Sequence, residues 1–345
     1  MKYVTFGEIM LRLTVPDNTR ILNTDLFTVS YAGAEANVAV ALALYGCDAS
    51  FVTKLPEGQL GQAARNQVRR YGVDTSDIVT GGRRLGIYFY EKGVCHRPAS
   101  VVYDRENSAI AAADPSEFNW NRIFDGAGWY HCTGITPALS ENAAKMTLDS
   151  VIAAKKLGLT VSCDLNYRSR LWSKEDARRV MTKVSRYTDV MITNMDQAFD
   201  VLGIKPGDGS EPESDEAYLD LSRRIVSEYG CSHVAYTTRQ SLSASHNIIS
   251  GILYEKSTDR LVRARKYDLT EIADRVGGGD SFGAGLIYTL SRGCTAEYCV
   301  NFAVAAECLK HTIDGDFNLT TEEETRRIMR RKRKNSEIKQ KNIRC

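Results

Sequence analysis

The sequence predicts an α/β fold: a parallel sheet sandwiched between helices, with a small second sheet laid over it. Three observations predict this. From Trp129 onward, short apolar strands alternate with helical patterns, and that alternation means parallel strands joined by crossover helices. Between Arg84 and Asp104 the chain has β character with no helix between its strands, so these pair as hairpins. Finally, Asp274-Arg-Val-Gly277-Gly278-Gly279-Asp280 sets a glycine turn at the head of an apolar helix. Open α/β sheets bind ligands in turns of this kind, beyond the carboxyl ends of their strands.

Taken in order, Lys2 to Gly7 is an apolar strand followed by Glu8. The stretch to Val29 alternates and turns at Pro16-Asp17-Asn18, so it is strand or loop rather than helix. Ala32-Gly33-Ala34-Glu35-Ala36-Asn37 opens a helix that runs to Tyr45 and stops at Gly46. Its small residues let a ligand approach the backbone, or simply make a tight strand-to-helix turn. Gly61 to Tyr71 is a second helix. The hairpin strands Ile87–Tyr90 and Val101–Tyr103 follow, and with the region of Thr14 to Val29 they build the small sheet.

Trp129 to Ile135 begins the alternating part. Ser140 caps a helix to Lys156, which Gly158 stops. Leu159 to Leu165 is a strand, Ser173-Lys-Glu-Asp176 a capping box with Asp in place of Glu, and Asp189 to Thr193 and His233 to Thr237 are further strands. Leu242 to Arg265 reads as an edge hairpin turning at Ser257-Thr-Asp-Arg. Ser281 to Ser291 and Thr295 to Ile313 are apolar helices, and Ala303, Ala305 and Ala306 let the second approach a partner helix closely.

Composition bounds the function. The chain has 345 residues, enough for a large core, and its 43% hydrophobic and 26% charged residues are those of a soluble globular protein. No apolar run approaches the length needed to span a bilayer, and the first residues run straight into a strand, so the expectation is a cytoplasmic chain without a signal peptide or membrane contact. Nine cysteines without a CxxC pair point to free thiols, and five scattered histidines have no zinc spacing, so no protein-held metal is expected. Arg326 to Arg344 holds ten basic residues against Glu337 alone. This tail, set at 329–345, reads as a frayed helix or a solvated arm. Without interleaved aromatics it is not read as a nucleic-acid site.

The chemistry concentrates at the glycine turn. Bare N–H groups and the positive end of a helix dipole make an anion site. A carboxylate beside such a site suits phosphate binding badly. It suits phosphoryl transfer well: Asp280 removes a proton from a hydroxyl while Gly277, Gly278 and Gly279 hold the charge developing on the phosphoryl group. The bland reading makes Asp280 a first-turn acid that the dipole stabilises. No GxxxxGK[ST] or GxGxxG occurs, so neither a P-loop nor a dinucleotide fold has its fingerprint.

Asp274-Arg-Val-Gly-Gly-Gly-Asp280 resembles the C-terminal signature of the ribokinase-like (PfkB) sugar kinases, in the form found in 2-keto-3-deoxygluconate kinases. Ala32-Gly33-Ala34-Glu35-Ala36-Asn37 resembles the first signature of that family, with Ala32 in place of a glycine. Leu-Gly-Ile-Tyr88, Tyr103-Asp-Arg105, Asp164-Leu-Asn166-Tyr-Arg168 and Gly315-Asp316-Phe-Asn318 resemble its other motifs. The resemblance implies a three-layer α/β/α sandwich over 1–328, with a lid from about 12–31 and 84–108. It implies ATP and Mg2+ as cofactor and a sugar acid as partner.

The site residues follow residue by residue. Gly33, Tyr88, Tyr103, Arg105, Ile135, Asp280 and Asp316 contact the sugar acid. Arg105 takes its carboxylate in bidentate fashion, unless it makes only a surface ion pair, and the tyrosines wall the sugar, unless they only pack the strands. Asp316 takes a sugar hydroxyl or else makes an Asx-turn. Asn166, Arg168, Asn194, Thr237 and Arg239, with the three glycines, face ATP, and Arg168 neutralises the phosphoryl group in transfer. Asn194-Met-Asp196-Gln197 departs from the family's N-x-x-E, so magnesium depends mainly on the ATP phosphates. Three other readings remain: a fructokinase or other keto-sugar kinase on this fold, a sugar- or nucleotide-binding regulator without turnover and, least favoured, a nucleic-acid binder through the basic tail. The lid offers an apolar face and an exposed edge for a homodimer.

Overall fold

The computed structural model describes residues 1–207, 211 and 213–330. Its strands are β1 Lys2–Phe6, β2 Met10–Thr14, β3 Thr28–Ala32, β4 Asp48–Val52, β5 Lys54–Leu55, β6 Val79–Thr80, β7 Ile87–Glu91, β8 Ser100–Asp104, β9 Ala127–Thr133, β10 Thr160–Asp164, β11 Val190–Thr193, β12 His233–Ser241, β13 Asn247–Glu255, β14 Arg260–Arg263 and β15 Tyr267–Leu269. The helices are α1 Ala34–Leu44, α2 Gln59–Arg69, α3 Trp120–Ile123, α4 Glu141–Lys156, α5 Lys174–Ser185, α6 Met195–Gln197, α7 Asp215–Tyr229, α8 Gly278–Leu290, α9 Ala296–Lys310 and α10 Glu322–Arg330.

The main sheet runs β14-β13-β12-β11-β10-β9-β1-β4, with β15 also on β13. From β12 to β4 the neighbours are parallel, and β13 and β14 add an antiparallel hairpin at the edge. Two cores flank it. On one face α3, α4, α5 and α7 bury Trp120, Met146, Met181 and Leu221 against Tyr130, Cys163 and Met191. On the other, α1, α8 and α9 bury Leu42, Phe282 and Phe302 against Tyr3, Trp129 and Ile192. Successive strand residues point to opposite faces, so one strand feeds both cores. The alanines of α9 serve helix packing: a Cβ built on Gly285 of α8 would lie 3.0 Å from the Ala303 Cα.

The lid is a four-stranded sheet, β3-β2-β7-β8. Its first strand starts at Met10, two residues before the expected boundary, because Met10 already pairs with Ala32 of β3. Pairing puts Arg12, Tyr88 and Tyr103 in one row on the inner face. Val29, Leu13, Phe89 and Val102 form the next row, on the outer face.

Several local expectations needed adjusting. The strand from Trp129 stops at Thr133, because Gly134 and Ile135 turn away under the Thr133 hydroxyl, which accepts from the Ile135 N–H at 3.1 Å. The Ser173 hydroxyl caps α5, but Asp176 accepts from that hydroxyl and not from the backbone: an Asp is one methylene too short to close the box. The basic segment is helical from Arg326 to Arg330 within α10; the rest of the expected tail lies outside the described residues.

Candidate active site

The carboxyl ends of the parallel strands converge on one edge of the sheet, and the loops leaving them build the site. The glycine turn enters α8 there. Gly277 is left-handed at φ 82, and a Cβ on it would fall 2.0 Å from the Asp316 carbonyl oxygen, so only glycine fits. Gly278 and Gly279 already belong to the first turn of α8. No side chain caps this end among the described residues, so the first N–H groups are left to whatever ligand enters. A Cβ on Gly278 would strike the His311 ring at 2.7 Å, whereas one on Gly279 would meet nothing within 4 Å and would stand in open space.

Asp280 stands in that first turn, half-buried. Its Oδ2 accepts from Asn37 Nδ2 at 2.6 Å. Burial pushes its pKa up to about 6, while the Asn37 bond and the charges of Arg168 and Lys310 pull the other way. Asn37 belongs to the α1 signature, so the two glycine-containing motifs, more than 240 residues apart, meet at this bond. Gly33 makes the meeting possible: its added Cβ would lie 1.8 Å from the Glu8 carbonyl oxygen.

Two further acids stand close by. Glu35 is buried, accepts from the Thr133 and Thr136 hydroxyls at 2.7 and 2.9 Å, and is pushed up to about 7 by burial, with Asp280 adding to the effect. Asp164 is likewise pushed up to about 7 by burial and by Asp280, against Arg168. Its carboxylate accepts from the Asn166 N–H at 3.0 Å and fixes the left-handed Asn166 at φ 36, which turns the chain toward Arg168. Arg168 is exposed, with its charge felt by both Asp164 and Asp280. Asn194 caps α6, its Oδ1 accepting from the Gln197 N–H at 2.8 Å, which leaves Asp196 and the Gln197 side chain on the short helix behind it. Thr237 lies at the middle of β12 and Arg239 two residues further on; the Arg239 charge is felt by Arg275, Glu307 and His311 on the far side of the glycine turn.

Three expected sugar contacts, Tyr88, Asp316 and Arg105, have protein partners. The Asp316 carboxylate is buried, with Tyr88 OH 2.9 Å from both its oxygens and Arg12 Nη1 on Oδ1. Arg12 also donates to Asp274 Oδ2 at 2.5 Å and stacks 4.4 Å from the Tyr90 ring centroid. Asp316 is therefore the end of a buried Arg12–Asp274–Asp316 cluster that ties the lid to the glycine turn. Arg105 is buried as well, its Nε and Nη2 donating to Glu8 Oε2. It is thus neither a free bidentate clamp nor a surface ion pair. Its Nη1 carries no hydrogen bond among the described residues. Arg105 lines a cavity of about 540 Å³ with Arg83, Arg84, Tyr103, Asp104, Glu106 and Asn107.

Arg12, Glu8 and Lys310 were given no role from the sequence. Arg12 had a signal: a lone charge amid the apolar Met10-Leu-Arg-Leu strand is costly unless a partner is buried with it.

The profile of the pfkB family carbohydrate kinases matches residues 2–315. The chain belongs to this family of sugar kinases. It is 46% identical to the 2-dehydro-3-deoxygluconokinase of Thermotoga maritima, whose crystal structure superposes with a TM-score of 0.92 over 95% of this chain and 99% of that one. It is 32% identical to a 2-dehydro-3-deoxygalactonokinase of Haloferax volcanii over 95% of this chain and 96% of that protein. A 5-dehydro-2-deoxygluconokinase of Bacillus subtilis is 27% identical over 88% of this chain and 87% of its own. The ribokinase-like architecture and the assignment to the phosphotransferases follow from these matches.

Proposed function

We propose that the protein phosphorylates the terminal hydroxyl of 2-keto-3-deoxygluconate with Mg·ATP, giving 2-keto-3-deoxy-6-phosphogluconate and ADP. The observation that carries this reading is Asp280, held by Asn37 in the first turn of an uncapped helix. The acid takes the proton of the attacking hydroxyl, and the N–H groups of Gly278 and Gly279 receive the transferring phosphoryl group. Arg168 balances the charge on its oxygens.

The substrate class rests on two relatives whose names specify 2-keto-3-deoxy sugar acids. It rests also on a guanidinium edge left open at Arg105 Nη1 beside Tyr103. Gly33 and Ile135 border the sugar side. Asn166, Asn194, Thr237 and Arg239 line the nucleotide side. Magnesium, when bound, neutralises phosphate charge. The oxygen donors of Asp196 and Gln197 suit this hard ion, and no trio of acidic, His or Cys residues among the described residues could cage it, so phosphates and water would supply most of its ligands. We place the enzyme in the cytoplasm; among the described residues no helix is long and apolar enough to cross a membrane.

A coupled ADP-release assay tests the reading, with 2-keto-3-deoxygluconate, its galactonate epimer, fructose and ribose compared under Mg·ATP. Turnover on the keto acids is expected. Turnover on fructose alone would replace the acid by a neutral sugar, and ATP binding without turnover on any sugar would favour a regulator.

A further inference from the structure

Lys310 is the last residue of α9 and is wholly buried. Its ammonium donates to the backbone carbonyls of Ile313 at 3.0 Å and Asp274 at 3.3 Å. Among the described residues no carboxylate bonds it directly: the Asp274 oxygens are taken by Arg12 and by the N–H groups of Val276 and Gly315. The two carbonyls belong to the two loops that shape the glycine turn. One loop leads from Ala273 into Gly277. The other, from His311 to Asp316, lies beneath it, with the Ala273 N–H on the His311 carbonyl at 2.8 Å and the Asp316 carbonyl against Gly277. A buried ammonium held by carbonyls is a poor device for stability, since an apolar side chain would fill the space without stripping a charge of water. Burial lowers its pKa, and Asp274 and Asp316 hold it up against Arg12. Its charge is felt at Asp280, where it favours the carboxylate.

We propose that Lys310 is a positioning residue for phosphoryl transfer: a built-in cation that locks the 273–277 and 311–316 loops together and holds positive charge beneath the glycine turn. The proposal rests on the phosphoryl-transfer reading of Asp280. Two effects follow from one group. The hydrogen bonds fix where the N–H groups of the turn point, and the charge favours both an entering phosphate and the ionised base. Asp280 is faced by Asn37 and Glu35 from α1, Arg168 and Asp164 from the β10 loop, and Asp316 and Lys310 from the α9 side. Removing the Lys310 charge therefore raises the Asp280 pKa and moves the acid limb of the rate profile to higher pH.

Two variants separate the effects. Lys310→Gln keeps N–H donors for both carbonyls and removes the charge. Lys310→Met removes both and leaves a carbonyl-lined space. Turnover against pH, Mg·ATP affinity by calorimetry and melting temperature are measured for each, in ammonium chloride and in sodium chloride. Lys310→Gln is expected to melt near the wild type, to lose about tenfold or more in kcat, to bind Mg·ATP more weakly and to show the shifted acid limb. Lys310→Met should lose more and recover in ammonium but not in sodium. A glutamine variant with wild-type kcat, acid limb and Mg·ATP affinity would overturn the proposal. So would unfolding of both variants without recovery in ammonium, which would make Lys310 a stability residue only. If the methionine variant alone fails to fold, the glutamine variant decides. A wild type that phosphorylates no sugar acid overturns the functional reading instead, and Mg·ATP affinity still reads the Lys310 charge.

Discussion

On the proposed reading, Asp280 is the residue on which the chemistry turns. Asp280→Asn keeps the shape and the Asn37 contact but cannot accept a proton. Its kcat should fall roughly 100-fold or more, with Mg·ATP affinity and melting temperature kept; near-normal turnover would remove it as the base. The sign of the pH effect follows from its raised pKa. With the carboxyl pushed up to about 6, the base is protonated below that pH, so kcat/KM should fall as pH drops through about 6 and level off above it. An unperturbed carboxylate would place that limb near pH 4. The acid and its three glycines were legible in the sequence because a turn and a helix start are local. The environment of Arg105 was not. Its partner Glu8 lies 97 residues away, and nothing in a linear reading says which of the acids an arginine will meet or that both will be buried. Asn37 was visible within its motif, but its bond to Asp280 exists only through the packing of α1 beside α8.

The glycine turn shows what an element demands of each residue. Gly277 and Gly279 sit two apart, and alanine should act on them in opposite ways. At Gly277 a methyl group meets the Asp316 carbonyl in a left-handed conformation, so Gly277→Ala should lower the melting temperature and activity together. At Gly279 a methyl group meets no protein atom. Gly279→Ala should therefore melt like the wild type and lose Mg·ATP affinity, because the space it fills is the ligand's. Equal melting of the two variants would sink this distinction. The lid strand β2 carries its own test. Arg12 is buried between Asp274 and Asp316, and Arg12→Met leaves both carboxylates without their cation. Breaking a buried pair in this way costs roughly 3–5 kcal/mol, which a denaturant melt would register; a loss under about 1 kcal/mol would mean that water reaches the cluster. Strand and helix starts were largely readable, since caps such as Ser140 and Ser173 act within a few residues.

At the scale of the molecule the sandwich was legible because alternation of strand and helix restricts the topology so strongly. The lid was legible as hairpins, yet its two faces were not assigned. Pairing assigns them. Arg12, Tyr88 and Tyr103 share the inner row, and the outer row of Val29, Leu13, Phe89 and Val102 crosses all four strands. Val29 is 57% exposed and Val102 50%, and Leu22 and Leu26 beside β3 are more exposed still. A contiguous apolar row of this kind is costly to leave in water, which makes it the expected place for an interface. A second copy of the chain is its simplest occupant, since closed symmetric pairs dominate soluble oligomers. Val102→Glu puts a charge at the end of the row without touching the inner face. Sedimentation velocity is expected to find a dimer for the wild type and a monomer for Val102→Glu. Because Tyr103 stands next on the same strand, the KM for the sugar acid should rise while Mg·ATP affinity stays. A wild type that is already monomeric at micromolar concentration would leave the row without a partner of its own kind, and a Val102→Glu dimer would place the interface elsewhere.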